Sequence, residues 1–226
     1  MTSNWKLSPS ELTFLWDDCP RCFYLKVVRK FNRPWGAFPK IFNRIDKLMK
    51  DHYEGKSTSE IAPELPEGIV QFGEKWVTSA PISIPGHEAT CFIRGKFDTV
   101  VAFSDGSYGV VDFKTSQPRP EHVAFYGRQL HAYAYALEHP TPNSLALAPI
   151  TRLGLLCVEP VSMDKIGSDQ LAYIGDVTWL EVPKDNSFFT SFLDNVLTVL
   201  EKPTPPDSNP KCGYCQYRMA SRETGY

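Results

Sequence analysis

The chain has 226 residues, a formal net charge of −2 and a pI of about 6.2. Hydrophobic residues make up 42% and charged residues 22%, which are ordinary globular values and therefore exclude a disordered or fibrous protein. The length predicts one well-buried domain. The near-neutral charge gives no whole-chain preference for a polyanion such as nucleic acid.

Basic residues nevertheless cluster near the N-terminus. They form two groups: Lys26, Arg29, Lys30 and Arg33, then Arg44, Lys47 and Lys50. Such a cluster is typical of a DNA-binding patch, and the alternative is a solvated basic face without a partner.

The first residues, MTSNWKLSPSEL, lack the basic start and apolar run of a secretion signal. No stretch approaches the roughly 18 apolar residues of a membrane span. We therefore expect a cytoplasmic protein with no membrane partner. In that compartment the six cysteines are expected as thiols or metal ligands rather than as disulfides.

The predicted elements begin with helices. Ser8 or Ser10 caps a first helix that carries Cys19. A second, amphipathic helix spans residues 39–53, because its apolar residues recur every three or four positions with basic residues between them. Residues 55–70 hold proline, glycine and acidic residues and are predicted as a surface loop.

Strands and further helices follow. Residues 90–103 and 108–115 are rich in β-branched and aromatic residues, and they form a predicted hairpin around the turn S-D-G-S. The predicted order ends with a helix over 121–139, strands over 153–158 and 171–182, and a helix over 188–200.

The hairpin turn fixes which residues face each other. If Gly106 adopts the left-handed conformation that three-residue loops need, Phe103 pairs with Ser107. Counting back along the ladder places Asp98 directly opposite Asp112, with their Cβ atoms on the order of 5 Å apart. Alternation along the strand puts Lys114 on the same face. The opposite face is predicted to be apolar and carries Phe97, Val101, Val111 and Phe113.

Two carboxylates that face each other repel, so we expect a cation between Asp98 and Asp112. Oxygen ligands at this spacing suit Mg²⁺ or Mn²⁺. Lys114 would hold an attacking water or neutralise charge in the transition state. The pattern favours phosphodiester cleavage, and the alternative is a solvent-facing ladder with an Asp–Lys pair.

Three motifs, G-K-F-D (95–98), V-V-D-F-K-T (110–115) and Q-L-H-A-Y (129–133), together resemble the PD-(D/E)XK nuclease superfamily. The chain looks closest to the branch of the CRISPR-associated adaptation exonuclease and the nuclease domains of recombination helicase–nucleases. The resemblance implies an α/β fold of the restriction-endonuclease type, with a mixed central sheet flanked by helices. It also implies that Asp98, Asp112 and the backbone carbonyl of Phe113 hold the metal, while Lys114 activates or positions the water.

The family's helix residues correspond to Gln129 and Tyr133, which would line the site. They lie four apart and so share one helix face, although such a pair taken alone more often serves packing. The family usually has a metal-binding histidine on its second helix. Asn43 stands at that position here, and Asp46 would substitute for it. His52 and His122 are the alternatives among the histidines.

Four cysteines form two C-x-x-C pairs: Cys19 and Cys22, then Cys212 and Cys215. Four thiolates suffice for a tetrahedral Zn²⁺ or a 4Fe–4S cluster, and either would clamp the two ends of the chain together. The iron–sulfur members of the branch use one N-terminal and three C-terminal cysteines. Ser221 stands near the expected third C-terminal position, so this chain departs from that pattern. Cys91 and Cys157 lie in apolar strands and are predicted as buried thiols.

These inferences combine into one nuclease-like domain over 1–226, with a catalytic core over about 38–200 and a cysteine clamp from 8–30 and 205–218. The resemblance implies a Mg²⁺- or Mn²⁺-dependent nuclease that hydrolyses DNA. It would act as an exonuclease on single-stranded or end-containing DNA in repair, recombination or CRISPR adaptation, beside a helicase or CRISPR integrase partner. The alternatives are a catalytically weak or inactive nucleic-acid-binding module of the same fold, and a zinc-held adaptor domain.

Overall fold

Two mixed β-sheets form the centre of the protein in the computed structural model, which describes residues 2–34, 36 and 39–225. The predicted start of the catalytic core at residue 38 lies outside the described residues. The strands are β1 (Asn4–Leu7), β2 (Gly68–Gly73), β3 (Trp76–Thr78), β4 (Ile82–Ser83), β5 (Thr90–Lys96), β6 (Thr99–Phe103), β7 (Tyr108–Lys114), β8 (Ile150–Lys165) and β9 (Leu171–Val182).

Six α-helices are found among the described residues: α1 (Trp16–Asp18), α2 (Pro20–Arg29), α3 (Lys40–Tyr53), α4 (Pro120–Glu138), α5 (Asn186–Leu200) and α6 (Gly213–Glu223). A π-helical segment, Glu11–Leu15, leads directly into α1, and a 3-10 turn spans Thr58–Glu60. The predicted helices over 39–53, 121–139 and 188–200 correspond to α3, α4 and α5. In the part of the chain that is described, no helix is long and apolar enough to cross a membrane.

The larger sheet has the strand order β2-β6-β7-β8-β9. Its strands β7 and β8 run parallel, and the other neighbours are antiparallel. In the smaller sheet β5 is central, with β1 parallel to it and β3 and β4 antiparallel. The predicted mixed α/β fold is therefore confirmed.

The predicted hairpin register is confirmed in β6 and β7. Thr99 pairs with Val111, and the ladder continues to the turn, where the Phe103 N–H donates to the Ser107 carbonyl at 2.9 Å. Gly106 has a φ of +85°, the left-handed conformation that the turn requires of a residue without a Cβ. The turn alone thus sets the ladder that aligns the two strands.

The prediction of one continuous strand over 90–103 is wrong. The chain bends at Phe97 and Asp98, so β5 belongs to the smaller sheet and β6 to the larger one. Phe97 therefore packs in the core beside α4, whereas Val101 and Val111 pack in the core beside α3. Alternation of side chains holds only within one unbroken strand, which is why Phe97 lies on the side opposite to its predicted one.

The larger sheet is covered on both faces. Its first face packs with the smaller sheet and with α2, α4 and α5, and its second face packs with α3.

The prediction of a surface loop over residues 55–70 is wrong in part, because Ile61, Ala62 and Leu65 are buried in the core beside α3. Burying each Leu or Ile side chain stabilises the fold by about 1.5–3 kcal/mol, which offsets the lack of regular structure in this segment.

The strand β8 is longer than predicted, and with β9, whose bounds are as predicted, it forms a ribbon beyond the sheet. The last pair between β7 and β8 joins Lys114 to Cys157, and the rest of β8 pairs with β9 alone. Exposed side chains there, such as Met163 and Tyr173, are paired across the ribbon. Residues 159–165 mix apolar and polar side chains, so the absence of a continuous apolar run left this extension of β8 unpredicted.

Candidate functional site

A cleft of about 420 Å³ opens between α3 and the larger sheet. Asn43 and Asp46 reach it from α3, and Asp98 enters from the bend between β5 and β6. The end of β7 contributes Asp112, Phe113 and Lys114, and α4 contributes Gln129. The fold thus brings together residues from four separated parts of the chain, each of which the motifs had singled out.

Asp98 is fixed by one main-chain and one side-chain contact. Its Oδ2 accepts the Phe113 N–H at 3.1 Å, and its Oδ1 lies 2.8 Å from the Lys50 ammonium. The bond to Phe113 ties the aspartate to the strand that carries Asp112. Asp98 keeps about a fifth of its side-chain surface exposed, so it remains accessible from the cleft.

Asp112 is buried and is held by two neighbours. Gln129 Nε2 donates to its Oδ1 at 2.9 Å, and its Oδ2 forms a close ion pair with Lys114. Burial raises the pKa of Asp112 to about 6; the Lys114 ammonium opposes this shift and the Asp98 carboxylate adds to it. A cation at this carboxylate would stabilise its charged form.

Lys114 is largely buried between Asp112 and an aromatic ring. Its Nζ lies 4.3 Å from the centroid of the Tyr126 ring, within the range of a cation–π contact. Burial alone would lower the pKa of Lys114, but the carboxylates of Asp112 and Asp98 together outweigh it and raise the pKa. Lys114 is therefore a fixed positive charge beside the two aspartates. The sequence offered no signal for Tyr126.

Lys50 enters the same group of charges from the outer side of Asp98. Its Nζ lies 2.6 Å from Asp46 Oδ2, 2.8 Å from Asp98 Oδ1 and 3.0 Å from Glu74 Oε1. Only 11% of its side chain is exposed. The sequence placed Lys50 in a basic cluster, but its inward orientation was not predicted, because it depends on where Glu74 and Asp98 lie in space.

The predicted basic patch is divided in the fold. Lys50 points into the charged group at Asp98, and Arg33 is largely buried at the cysteines. Lys26 pairs with Glu11 at 2.5 Å. Solvation and DNA binding were the two alternatives for this cluster, and neither describes Lys50 or Arg33.

The four candidates to replace the family's metal-binding histidine differ in whether they line the cleft. Asn43 and Asp46 both line the cleft. His52 lies within 3.0 Å of Lys56 on the exposed side of α3, and the His122 ring packs against Tyr126. Neither histidine lines the cleft, so Asn43 and Asp46 are the two of these four candidates that the fold places there.

Tyr133 does not join Gln129 in the cleft. Its hydroxyl donates to the Lys96 carbonyl at 2.7 Å, and its ring lines a separate cavity beside Gly95. Burial raises the pKa of Tyr133. The Asp112 and Asp98 carboxylates also raise this pKa and Gln129 acts on the same hydroxyl, so Tyr133 lies beside the cleft without lining it.

The residues of the cleft fit a divalent cation. Among its described lining residues are three carboxylates, Asp46, Asp98 and Asp112, and one ammonium, Lys114, so they carry a formal excess of two negative charges. Carboxylate and carbonyl oxygens are the ligands that Mg²⁺ and Mn²⁺ prefer. The buried carboxylate of Asp112, whose charge is disfavoured by burial, is a further reason for a cation to bind here.

The two cysteine pairs meet in a second site at the chain ends. All four thiols are buried, and their sulfur atoms lie within 4.8 Å of one another. The shorter Sγ–Sγ distances are 3.8 Å for Cys19 and Cys215, 3.8 Å for Cys22 and Cys212, and 3.6 Å for Cys22 and Cys215. The prediction that the pairs come together is confirmed, and the site is able to hold a metal.

The two pairs occupy matching positions on two helices. Cys19 lies between α1 and α2, directly before the first residue of α2, rather than on the first helix as predicted, and Cys212 precedes the first residue of α6. Cys22 and Cys215 then lie in the first turns. The partial positive charge at a helix N-terminus favours thiolates, so both helices point a favourable dipole at the four sulfurs.

Groups around the sulfurs shift the thiol pKa values in both directions, because burial raises the pKa of Cys22 and of Cys215 whereas hydrogen bonds lower that of Cys19. Burial opposes ionisation of Cys19, but main-chain hydrogen bonds from Asn209 and Cys22 lower its pKa to about 7. Arg33 Nη2 donates to Cys212 Sγ at 3.2 Å and stacks over the Tyr214 ring. A positive charge beside the sulfurs offsets part of the negative charge of four thiolates.

The remaining cysteines, Cys91 and Cys157, are buried in β5 and β8, as predicted. Both lie in the first core among apolar side chains. Burial raises the pKa of Cys91 to about 12, which keeps its thiol protonated at neutral pH.

A family model described as the PD-(D/E)XK nuclease superfamily matches residues 37–220. The crystal structure of SSO0001 aligns with a TM-score of 0.47 and 12% identity, over 88% of this chain and 77% of that one, which is too distant to bear on function. No curated protein sequence matches the chain. The region matched by the family model contains the whole cleft and the second cysteine pair. The chain therefore belongs to the PD-(D/E)XK nuclease superfamily.

Proposed function

We propose that the chain is a Mg²⁺- or Mn²⁺-dependent nuclease that hydrolyses phosphodiester bonds of DNA at the cleft between α3 and the larger sheet. The observation that carries this proposal is the convergence of Asp98, Asp112 and Lys114 with Gln129 in one cleft. The membership of the superfamily supports a nuclease. Action as an exonuclease on single strands or DNA ends remains a prediction.

Asp98, Asp112 and the main-chain carbonyl of Phe113 would hold the divalent ion, with Asn43 or Asp46 as a further ligand from α3. A divalent ion there would polarise the scissile phosphate and lower the pKa of an attacking water. Gln129 orients Asp112 through its 2.9 Å hydrogen bond. This contact would keep the carboxylate aimed at the cleft, as supporting hydrogen bonds do in other metal sites.

Lys114 would act on the reacting groups directly. Its ammonium, held by Asp112 and the Tyr126 ring, would donate to the attacking water or to a phosphate oxygen. The position is fixed before substrate binds, so little reorganisation is needed as negative charge builds up in the transition state. Tyr133 would support the site from beside Gln129, with its hydroxyl held by the Lys96 carbonyl of β5.

The test is cleavage of end-labelled single-stranded and duplex DNA, with an RNA of the same sequence beside them, in Mg²⁺, Mn²⁺ or EDTA. An Asp112→Ala variant should lose cleavage, and Asp176→Ala, at an exposed position of the β8–β9 ribbon, is the matched control. Metal-dependent cleavage that only Asp112→Ala abolishes supports the proposal. A folded protein that cleaves none of these substrates with either metal contradicts it.

The alternative proposal is a nucleic-acid-binding module without turnover. Two observations favour it: Asn43 replaces the family's histidine, and Lys50 occupies one oxygen of Asp98. In this case DNA binding would persist in the Asp112→Ala variant, and the unmodified protein would not cleave. Binding and cleavage measured on the same samples separate the two functions.

For the four cysteines we propose a single tetrahedral Zn²⁺ of structural role. With Zn–S bonds of about 2.3 Å, the sulfurs of a regular tetrahedron lie about 3.8 Å apart. The distances of 3.6 and 3.8 Å between the sulfurs agree with this value. In a 4Fe–4S cluster each thiolate binds a different iron at a corner of the cluster, so its sulfurs must lie farther apart than these do.

The metal can be identified in protein purified anaerobically. One equivalent of zinc and a colourless solution support the proposal, and replacement with Co²⁺ should give the visible bands of tetrahedral cobalt thiolate. A brown protein with about four irons per chain contradicts it.

We further propose that the clamp and the nuclease core form one domain over 1–226, because the cysteine pair near the N-terminus meets the pair near the C-terminus.

A further inference from the structure

Lys50 stands out because its ammonium binds carboxylates from three different parts of the chain. Asp46 belongs to α3, Glu74 follows β2, and Asp98 lies at the bend before β6. The three contacts are 2.6, 3.0 and 2.8 Å long. A buried lysine with three carboxylate oxygens around its nitrogen is in the environment that a metal cation would have at the same place.

This contact uses a carboxylate that the proposed metal site also needs. Asp98 Oδ2 accepts the Phe113 N–H and Oδ1 is held by Lys50, so a cation that binds Asp98 shares this carboxylate with the Lys50 ammonium. Asp46, the other partner of Lys50, is also a candidate ligand. An ammonium and a divalent ion at neighbouring positions repel each other, and this repulsion is strong where water is partly excluded.

We propose that Lys50 is a tethered cation that competes with the divalent ion for Asp98 and so sets the metal concentration at which the cleft loads. Lys50 acts through the metal ligand and is a positioning residue. The inference rests on the proposed metal-dependent function. It predicts that removing the charge of Lys50 tightens metal binding, whereas a residue that only held Asp98 in place would weaken it when removed.

The group around Lys50 also explains what its removal should do to stability. Three carboxylates within reach of one ammonium repel each other once the ammonium is lost. Lys96 would still pair with Glu74 at 2.9 Å, but Asp46 and Asp98 would lose their shared cation. The variant should therefore depend on a divalent ion more than the unmodified protein does.

The experiment measures Mn²⁺ binding by the loss of the free Mn²⁺ electron paramagnetic resonance signal, without DNA. The variant is Lys50→Met, which keeps the length of the side chain and removes its charge, and Lys50→Gln is a second one. Lys50→Arg keeps the charge. Lys47→Met is the matched control, because Lys47 lies on the same helix and pairs only with Asp51 among the described contacts.

We expect Lys50→Met to bind Mn²⁺ about tenfold or more tightly than the unmodified protein, while Lys50→Arg and Lys47→Met bind as the unmodified protein does. Adding Asp98→Asn to Lys50→Met should reverse the gain, which assigns it to this carboxylate. The melting temperature of Lys50→Met should fall in EDTA and recover in Mn²⁺ by more than that of the unmodified protein.

Equal or weaker Mn²⁺ binding by folded Lys50→Met and Lys50→Gln overturns the inference, even if the unmodified protein cleaves DNA and the proposed function stands. Variants that stay unfolded in Mn²⁺ overturn it as well, because the ion should replace the lost ammonium. If the unmodified protein neither binds Mn²⁺ nor cleaves while Lys50→Met binds it, the inference holds and the proposed function fails. If none of the folded proteins binds Mn²⁺, both are wrong.

Discussion

The Phe113 N–H of β7 donates a hydrogen bond of 3.1 Å to Oδ2 of Asp98, which lies at the bend between β5 and β6. The Asp98 side chain, just before β6, therefore binds the main chain of β7 between Asp112 and Lys114. This contact explains how Asp98 stays beside Asp112 although it lies outside the ladder that aligns β6 with β7.

Gln129→Met removes the hydrogen bond to Asp112 and keeps the volume of the side chain. We expect cleavage to fall by about 10- to 100-fold, the usual cost of losing a hydrogen bond to a metal ligand. The charged form of Asp112 also loses a donor, so the acid limb of the pH–rate profile should move to higher pH. Gln170→Met, at an exposed position in the loop that joins β8 to β9, serves as control. An unchanged rate and profile would contradict this role of Gln129.

Tyr126→Leu removes the aromatic ring under the Lys114 ammonium, and Tyr126→Phe retains it. A cation–π contact of about 1 kcal/mol corresponds to about a fivefold change, so we expect kcat to fall about fivefold in the leucine variant only. Steady-state cleavage of a short labelled DNA measures kcat and KM separately. Equal losses in both variants would instead assign the effect to the hydroxyl.

His87 should make the stability of the fold depend on pH. Its Nδ1 lies 2.8 Å from Glu201 Oε2 and its Nε2 lies 3.0 Å from Asp194 Oδ1. The hydrogen bond to Glu201, helped by Asp194 and opposed by burial, raises the pKa of His87 in the folded state. The resulting stabilisation is complete below the unfolded pKa of about 6.5, and it is lost as the pH rises through the higher folded pKa.

We therefore expect His87→Gln to be less stable than the unmodified protein at pH 6, by up to about 1 kcal/mol, and nearly equal to it at pH 9. Urea unfolding at the two pH values measures the difference. His139→Gln, at an exposed position after α4, is the control and should show no such trend. A gap of the same size at both pH values would mean that His87 contributes as a neutral side chain.

Cys22→Ser removes one of the four sulfurs from the clamp between α2 and α6. We expect loss of the bound metal and a melting temperature lower by about 10 °C or more, because each kcal/mol corresponds to about 2–4 °C in a chain of this size. Cys157→Ala should keep its full metal content, since Cys157 lies in the first core. Metal analysis gives the metal content of the two variants, and calorimetry gives their melting temperatures. Retention of the metal by Cys22→Ser would exclude a four-thiolate site.

Local patterns in the sequence determined much of the candidate site. The left-handed Gly106 fixed the turn, and the turn fixed the β6–β7 register that brings Asp112 and Lys114 to the end of one strand. Helical periodicity likewise located α3, α4 and α5. These features depend on residues a few positions apart, so each could be predicted from its own segment.

The tertiary structure alone decided four features: the bend at Phe97, the orientation of Lys50, the position of Tyr133 and the distances between the sulfurs. Each of them depends on contacts between segments that lie far apart in the chain. The bend at Phe97 exists because β5 and β6 join different sheets. Lys50 turns inward because Glu74 and Asp98 lie within its reach, and Tyr133 meets β5 rather than the cleft. The spacing of the two C-x-x-C pairs predicted a shared site. The sulfur distances, on which the proposal of one tetrahedral ion rests, come from how α2 and α6 pack at the chain ends.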